Sequence, residues 1–161
     1  MTSLMIANIE GLINAAVAEV FGTMVNVEMR EMPAGASGLN GEPQIASAVG
    51  FTGQAAGVVY LYTTTRFAGR ITRGLLGLNE TEVPTEEMVN DAMGEIANMV
   101  VGYFKSRLTE SNLSCVMTIP SIVRGSQFGI EAVSETEVKQ LKFCHEDDVL
   151  LVEVLIQRGH R

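Results

Sequence analysis

Basic residues are scarce in this chain, and their scarcity excludes a large class of function. Only 11 of the 161 residues are lysine or arginine, against 19 aspartates and glutamates, so the formal net charge is −8. Proteins that bind the phosphate backbone of nucleic acids need clustered positive charge. No lysine or arginine cluster with interleaved aromatic residues occurs here, and we expect no nucleic-acid partner.

Long apolar runs are also missing, although 47% of the residues are hydrophobic. No stretch approaches the roughly 20 apolar residues of a transmembrane helix, so we expect no membrane partner. The N-terminal stretch lacks the basic region of a secretory signal and carries Glu10 and Glu19, as an amphipathic helix does. In a chain of this length, the apolar content is enough for one domain with a sizeable core.

Cysteine and histidine are rare, with two of each. Because no secretory signal is present, we expect Cys115 and Cys144 to be reduced thiols of a cytoplasmic protein. Cys144 and His145 are adjacent, but neighbouring side chains on a strand point to opposite faces and do not converge on a metal. His160 lies in a basic tail, so a catalytic triad that needs a histidine has little support.

The hydrophobic periodicity predicts three helices and a series of strands. The predicted helices cover residues 3–21, residues 65–77, and a segment that is capped by Thr85 and continues to about Leu108. The predicted strands cover residues 23–32, 44–52, 55–63, 112–119, 127–134, 137–144 and 149–157. Residues 127–134 and 137–144 are predicted to form a hairpin, and residues 121–126 a loop.

The predicted elements occur in the same order twice. A helix, a strand that ends at a proline (Pro33, then Pro120) and at least two more strands follow one another in each half. We predict a single domain over residues 1–161, with halves at about 1–63 and 84–157 joined by the short helix at 65–77. The predicted fold class is α+β, in which the duplicated halves form one largely antiparallel sheet with two long helices on one face.

The stretch from Asn90 to Leu108 is predicted to be a helix with an unusual polar side. Asp91, Glu95 and Asn98 follow one another at i, i+4 and i+7, so they form one stripe along the helix axis. The opposite arc is apolar and suits a core. A polar stripe of this kind is most often an ordinary solvated face.

Two glycines argue against an ordinary solvated face. Gly94 and Gly102 lie four residues before and after Asn98, and each costs the helix about 0.5–1 kcal/mol relative to alanine. A helix built only for stability would not carry both on its polar side. We therefore interpret them as clearance for a partner that approaches Asn98 closely.

The spacing of four polar and proline positions resembles a known family signature. The signature of the CheC/CheX/FliY phosphatases of bacterial chemotaxis has four positions, and this chain matches all of them. They are Asp91, Glu95 after three intervening residues, Asn98 after two more, and Pro120 after a further twenty-one. CheC-type chains carry the motif in both halves, whereas this chain carries it once. The chain is therefore most similar to CheX.

The resemblance implies a phosphatase that hydrolyses the aspartyl phosphate of a CheY-like receiver protein. In that family the glutamate and the asparagine enter the receiver's active site. Glu95 would pair with a receiver lysine, and Asn98 would orient the attacking water, which an amide can do because it both donates and accepts. Asp91 and Pro120 match the motif as supporting residues. The Mg²⁺ would belong to the receiver, so no metal or cofactor is expected in this chain, and a homodimer is implied.

Two alternatives keep the same helix. The first is a non-catalytic CheC-like binding module, an adaptor for a receiver or a flagellar motor component, which would not depend on Asn98. The second is a phosphatase for a receiver outside chemotaxis, with Glu95 and Asn98 in unchanged roles.

Overall fold

The computed structural model describes residues 3–33, 39, 42–110, 112–126 and 136–157. The elements within these ranges are, in chain order, α1 (Ser3–Val20), β1 (Arg30–Glu31), β2 (Gln44–Gly53), β3 (Gly57–Thr64), α2 (Thr65–Leu76), α3 (Glu86–Glu110), β4 (Cys115–Met117), β5 (Ser121–Gly125), β6 (Thr136–His145) and β7 (Asp148–Gln157). None of the helices in these ranges combines the length and the hydrophobicity that crossing a bilayer requires.

The strands form one sheet in the order β1-β6-β7-β3-β2-β4, and β5 pairs with β2 beside β4. Every neighbouring pair is antiparallel. The helices lie on one face, since α3 contacts β2 and β3 while α1 and α2 both contact α3. The predicted fold class, an α+β fold with one antiparallel sheet and its long helices on one face, is therefore confirmed.

The core lies between the helices and one face of the sheet. In β2, alternate residues Ile45, Val49 and Phe51 are buried in this layer, where they join Ile96 and Val100 of α3. The alternation follows from the period of two along a strand, and the helical residues share one face because they are four apart. Burying each such side chain contributes about 1.5–3 kcal/mol, so α3 is held firmly against the sheet.

The topology repeats once, as the order of predicted elements implied. The hairpin β2–β3 follows α1, the hairpin β6–β7 follows α3, and the two hairpins meet where β3 pairs with β7. The short strand after each long helix crosses to the other half, so β1 lies beside β6 while β4 and β5 lie beside β2. Helix α2 lies between the two halves in the chain, and the boundaries of the halves stay a prediction.

The strand predicted at 23–32 is wrong in most of its length. Residues Phe21–Val25 form a π-helical turn that ends at Asn26, where φ is +60°, and only Arg30–Glu31 pair with β6. Val25 and Met29 are nonetheless buried. The alternation of apolar residues therefore predicted burial correctly. A segment can bury its side chains without forming strand hydrogen bonds along its backbone.

The second half also differs from the prediction. The loop predicted at 121–126 contains β5, and the strand predicted at 112–119 is reduced to Cys115–Met117. An edge strand such as β5 buries few side chains, so it lacks a strong apolar pattern. In the structure β6 forms a hairpin with β7. The hairpin predicted between residues 127–134 and 137–144 involves residues outside the described ranges.

Candidate functional site

Helix α3 begins where the capping chemistry predicts. The Thr85 hydroxyl accepts a hydrogen bond from the backbone N–H of Met88 at 3.2 Å, and Glu86 and Glu87 lie in the first turn, where the helix dipole favours negative charge. The helix then packs between the sheet, its two companion helices and the edge strands β4 and β5. Because α3 is covered on most sides, its exposed surface is narrow.

The predicted polar stripe lies on this exposed surface. Asp91 and Glu95 are exposed and Asn98 is half-buried. Within the described part of the chain, these three side chains make no hydrogen bond or ion pair. Two carboxylates one turn apart repel each other by about 0.2–0.5 kcal/mol, and no cation of the described residues compensates them. The stripe therefore offers unpaired acidic and amide groups to another molecule.

The structure revises the interpretation of Gly94. This residue is buried, and a Cβ atom added to it would lie 3.3 Å from Cγ and 3.6 Å from Cβ of Pro120. The space above Gly94 is thus occupied by a proline of the same chain, and clearance for a partner is the wrong explanation at this position. The glycine instead allows the edge strand to approach the helix.

Gly102 has different surroundings. A Cβ atom added to it would have no neighbour within 4 Å, and the residue is partly exposed. Nothing in the described part of the chain therefore requires a glycine here. The interpretation of Gly102 as clearance beside Asn98 stays a prediction.

The contact of Gly94 with Pro120 shows where the proline of the motif lies relative to the helix. Asp91 and Glu95 flank Gly94 within one turn of the helix, so the ring of Pro120 lies directly beside the acidic part of the stripe. The structure thereby brings all four motif positions to one region, although Pro120 lies well beyond the end of α3 in the sequence.

A second contact, which the sequence did not predict, ties α3 to the edge strand. Arg124 donates from Nε and Nη2 to the side-chain oxygen of Asn90, at 3.1 Å and 2.8 Å. The same guanidinium lies 3.8 Å from a carboxylate oxygen of Glu86. Asn90 precedes Gly94 by one turn, so both residues lie along the side of the helix that faces β5. That spacing is the sequence signal that could have identified Asn90.

The edge strand contains a β-bulge at this point. Phe51 of β2 pairs with Met117, and Ala48 pairs with Ser121. Three residues of the edge, 118–120, thus lie opposite two residues of β2. An extra residue of this kind bends a strand and redirects its side chains, and such bulges are frequent beside active sites.

The other polar clusters lie away from the stripe. On the far face of the sheet, burial raises the pKa of Glu153, and hydrogen bonds from Gln140 and Tyr62 oppose that effect. The buried Asp148 accepts a hydrogen bond from Arg70 at 2.7 Å. Nδ1 of His145 lies 3.0 Å from the carbonyl oxygen of Glu28. Among the described residues, no three His, Cys, Asp or Glu side chains come together in a way that could hold a metal ion.

Comparison with protein families gives a match that spans the site. Residues 45–144 match the family model described as "Chemotaxis phosphatase CheX". That range contains α3, the bulge and all four motif positions. No curated protein sequence matches the chain.

Solved structures of the same fold cover nearly the whole chain. CheX from Vibrio vulnificus is 25% identical, with a TM-score of 0.76, over 91% of this chain and 95% of that one. A CheC-like superfamily protein from Shewanella sp. PV-4 is 22% identical, with a TM-score of 0.78, over 98% and 100%. A CheX–CheY–BeF3–Mg²⁺ complex from Borrelia burgdorferi contains a chain 19% identical, with a TM-score of 0.70, over 93% and 97%. The last two likenesses concern the fold alone.

Proposed function

This chain belongs to the family of the chemotaxis phosphatase CheX, and we propose that it dephosphorylates the aspartyl phosphate of a CheY-like receiver in chemotaxis signalling. The observation that carries the proposal is the stripe on α3, where Glu95 and Asn98 have no partner among the described residues. They lie on a helix that the core and the edge strand hold in place, so they can enter a partner's active site without reorganising.

Asn98 is proposed to orient the attacking water. Its carboxamide can accept a hydrogen bond from the water and donate one to a phosphoryl oxygen at the same time. The water oxygen then bonds to phosphorus while the bond from phosphorus to the aspartyl oxygen breaks. The water's proton leaves with inorganic phosphate, and the receiver's carboxylate is regenerated. Hydrolysis of this kind depends mainly on positioning and on charge stabilisation.

Glu95 is proposed to pair with a cationic group of the receiver, a lysine in the family's pattern. Its carboxylate is exposed and lies about one turn from Asn98, so the two groups can enter the same site. Asp91, one turn before Glu95, adds negative charge to the same surface. The Mg²⁺ that neutralises the phosphoryl group is proposed to belong to the receiver, which leaves this chain the tasks of docking and positioning.

The partner class has support from a relative of the same fold. The Borrelia burgdorferi structure is a complex of CheX with CheY, BeF3 and Mg²⁺. For the present chain, the receiver is inferred from its family and from the unpaired acidic surface of α3. The homodimer that the resemblance implies is a separate proposal, which sedimentation velocity of the purified chain would test.

The proposal is tested by the decay of a phosphorylated receiver with and without the protein. Asn98→Ala should lower the catalysed rate by about 100-fold or more, as the loss of one group aimed at the transition state does in other enzymes. Glu95→Ala should raise KM as well as lower the rate. Neither change should alter the free energy of unfolding by more than about 0.5 kcal/mol, because neither side chain has a partner to lose among the residues that the structure describes.

Asn8 offers a matched control for Asn98. It is an exposed asparagine on α1, and Asn8→Ala should leave the rate unchanged. If the wild-type protein binds activated receivers but accelerates the decay of none, the non-catalytic adaptor is the better explanation. If it acts only on a receiver from another two-component pathway, the proposed roles of Glu95 and Asn98 are supported and the assignment to chemotaxis is wrong.

A further inference from the structure

The β-bulge at residues 118–120 is held firmly on both sides. The backbone N–H of Thr118 donates to the carbonyl oxygen of Gly50 at 2.9 Å, and the Thr118 hydroxyl accepts from the backbone N–H of Gly50 at 2.8 Å. At the other end, Pro120 packs on Gly94 of α3. The residue between these two anchors therefore has a defined position relative to the helix.

That residue is Ile119, and its side chain is 87% exposed. Ile119 is bonded to Pro120, whose ring packs on Gly94 next to Glu95, so the backbone of Ile119 lies near the stripe. A single exposed aliphatic residue is common on protein surfaces. Here, however, the edge strand accommodates one extra residue, and two anchors hold the backbone of Ile119 near the turn of α3 that carries Glu95.

We propose that Ile119 is an apolar docking residue for the phosphorylated receiver, and that the receiver presents an apolar surface beside its phosphorylated aspartate. The inference rests on the proposed function and adds a specificity-determining contact to it. Pro120 then acts as a positioning residue, because it fixes the distance between the apolar contact at Ile119 and the polar contacts at Glu95 and Asn98.

The receiver is the occupant that the surroundings favour. Asp91 and Glu95, one turn apart, have no cation partner among the described residues, so the partner should bring positive charge to the helix. Interfaces of this kind combine an apolar contact that excludes water with charged groups that set orientation. A partner that covers both Ile119 and the stripe meets both requirements.

The test compares Ile119→Ser with a matched control on the same edge strand. Val116 is 67% exposed, and it pairs with Thr52. Because Thr52 follows Phe51, which is buried under the helices, Val116 points to the face of the sheet away from the helices. Ile119→Ser should raise KM for the phosphorylated receiver about ten-fold with kcat unchanged, equivalent to about 1.4 kcal/mol. Val116→Ser should change neither constant, and Ile119→Leu should restore KM to near the wild-type value.

Binding to a beryllofluoride-activated receiver with Mg²⁺ separates this inference from the proposed function. An increase in Kd for Ile119→Ser that matches the increase in KM supports the docking contact. Wild-type KM and Kd in Ile119→Ser, or a fall in kcat alone, would overturn it while the phosphatase function stands. If the wild type binds the activated receiver but does not accelerate dephosphorylation, the proposed function is wrong. The Kd of Ile119→Ser still tests whether Ile119 contacts the receiver. If the wild type binds no receiver, both fail.

Discussion

Replacing Gly102 by alanine should make the protein more stable and less active at the same time. A Cβ atom added at this position meets no heavy atom within 4 Å, so alanine introduces no clash. The substitution removes the conformational cost of a glycine inside α3, which is about 0.5–1 kcal/mol. For a domain of this size, that gain raises Tm by roughly 1–4 °C.

The expected loss of activity has a separate cause. Gly102 lies one turn after Asn98, so the new methyl group projects beside the carboxamide on the surface that the receiver is proposed to cover. A displacement of about 1 Å in a reacting geometry can cost as much as 100-fold in rate. We expect kcat/KM for receiver dephosphorylation to fall about ten-fold or more, although the folded state has become more stable.

Gly94→Ala is the control for Gly102→Ala, because it makes the same substitution in the same helix at a crowded position. Alanine here gains the same helix propensity, but its Cβ would lie 3.3 Å from Cγ of Pro120, so the bulge has to shift by a few tenths of an ångström. We therefore expect Gly94→Ala to be less stable than Gly102→Ala. In a Pro120→Ala background, Gly94→Ala and Gly102→Ala should raise the free energy of unfolding by similar amounts. A double-mutant cycle of Gly94→Ala and Pro120→Ala then measures the energy of the contact between the added methyl group and Pro120.

Urea unfolding and receiver dephosphorylation, measured on the same preparations, test both parts. A Gly102→Ala protein that is more stable and keeps full kcat/KM would show that no partner needs the space at Gly102. A Gly102→Ala protein that is less stable than wild type would contradict the open surroundings of this residue. Equal stabilities of the two alanine variants would contradict the tight contact with Pro120.

Two further predictions concern the support of α3 and the far face of the sheet. Arg124→Ala removes the hydrogen bonds to Asn90 at 2.8 Å and 3.1 Å and should lower the free energy of unfolding by about 1 kcal/mol; an unchanged urea midpoint would show that this contact is not stabilising. Burial raises the pKa of Glu153 above its ordinary value of 4.5, so its protonation stabilises the folded state below that pH, and the contribution is lost as the pH rises through the folded pKa. Glu153→Gln cannot titrate, and its stability relative to wild type should therefore increase from pH 4 to pH 7; a difference that stays constant would contradict the raised pKa.

The sequence alone predicted the features that depend on local periodicity. The cap at Thr85 follows from the ability of its hydroxyl to accept a backbone hydrogen bond. The placement of Asp91, Glu95 and Asn98 on one stripe follows from 3.6 residues per turn, and the structure has both features. The fold class followed from the repeated order of helices and strands. The prediction failed at residues 23–32, where apolar alternation coincided with burial but not with strand pairing.

Only the tertiary structure decided the surroundings of Gly94, Pro120 and Ile119. Which residue of an edge strand faces a given turn of a helix depends on the register of that strand, and one extra residue in the bulge changes the register for all that follows. Nothing in the local sequence reports that change. The sequence therefore determined which groups the helix presents, and the packing of the edge strand determined that Pro120 covers Gly94 and that Ile119 stays exposed.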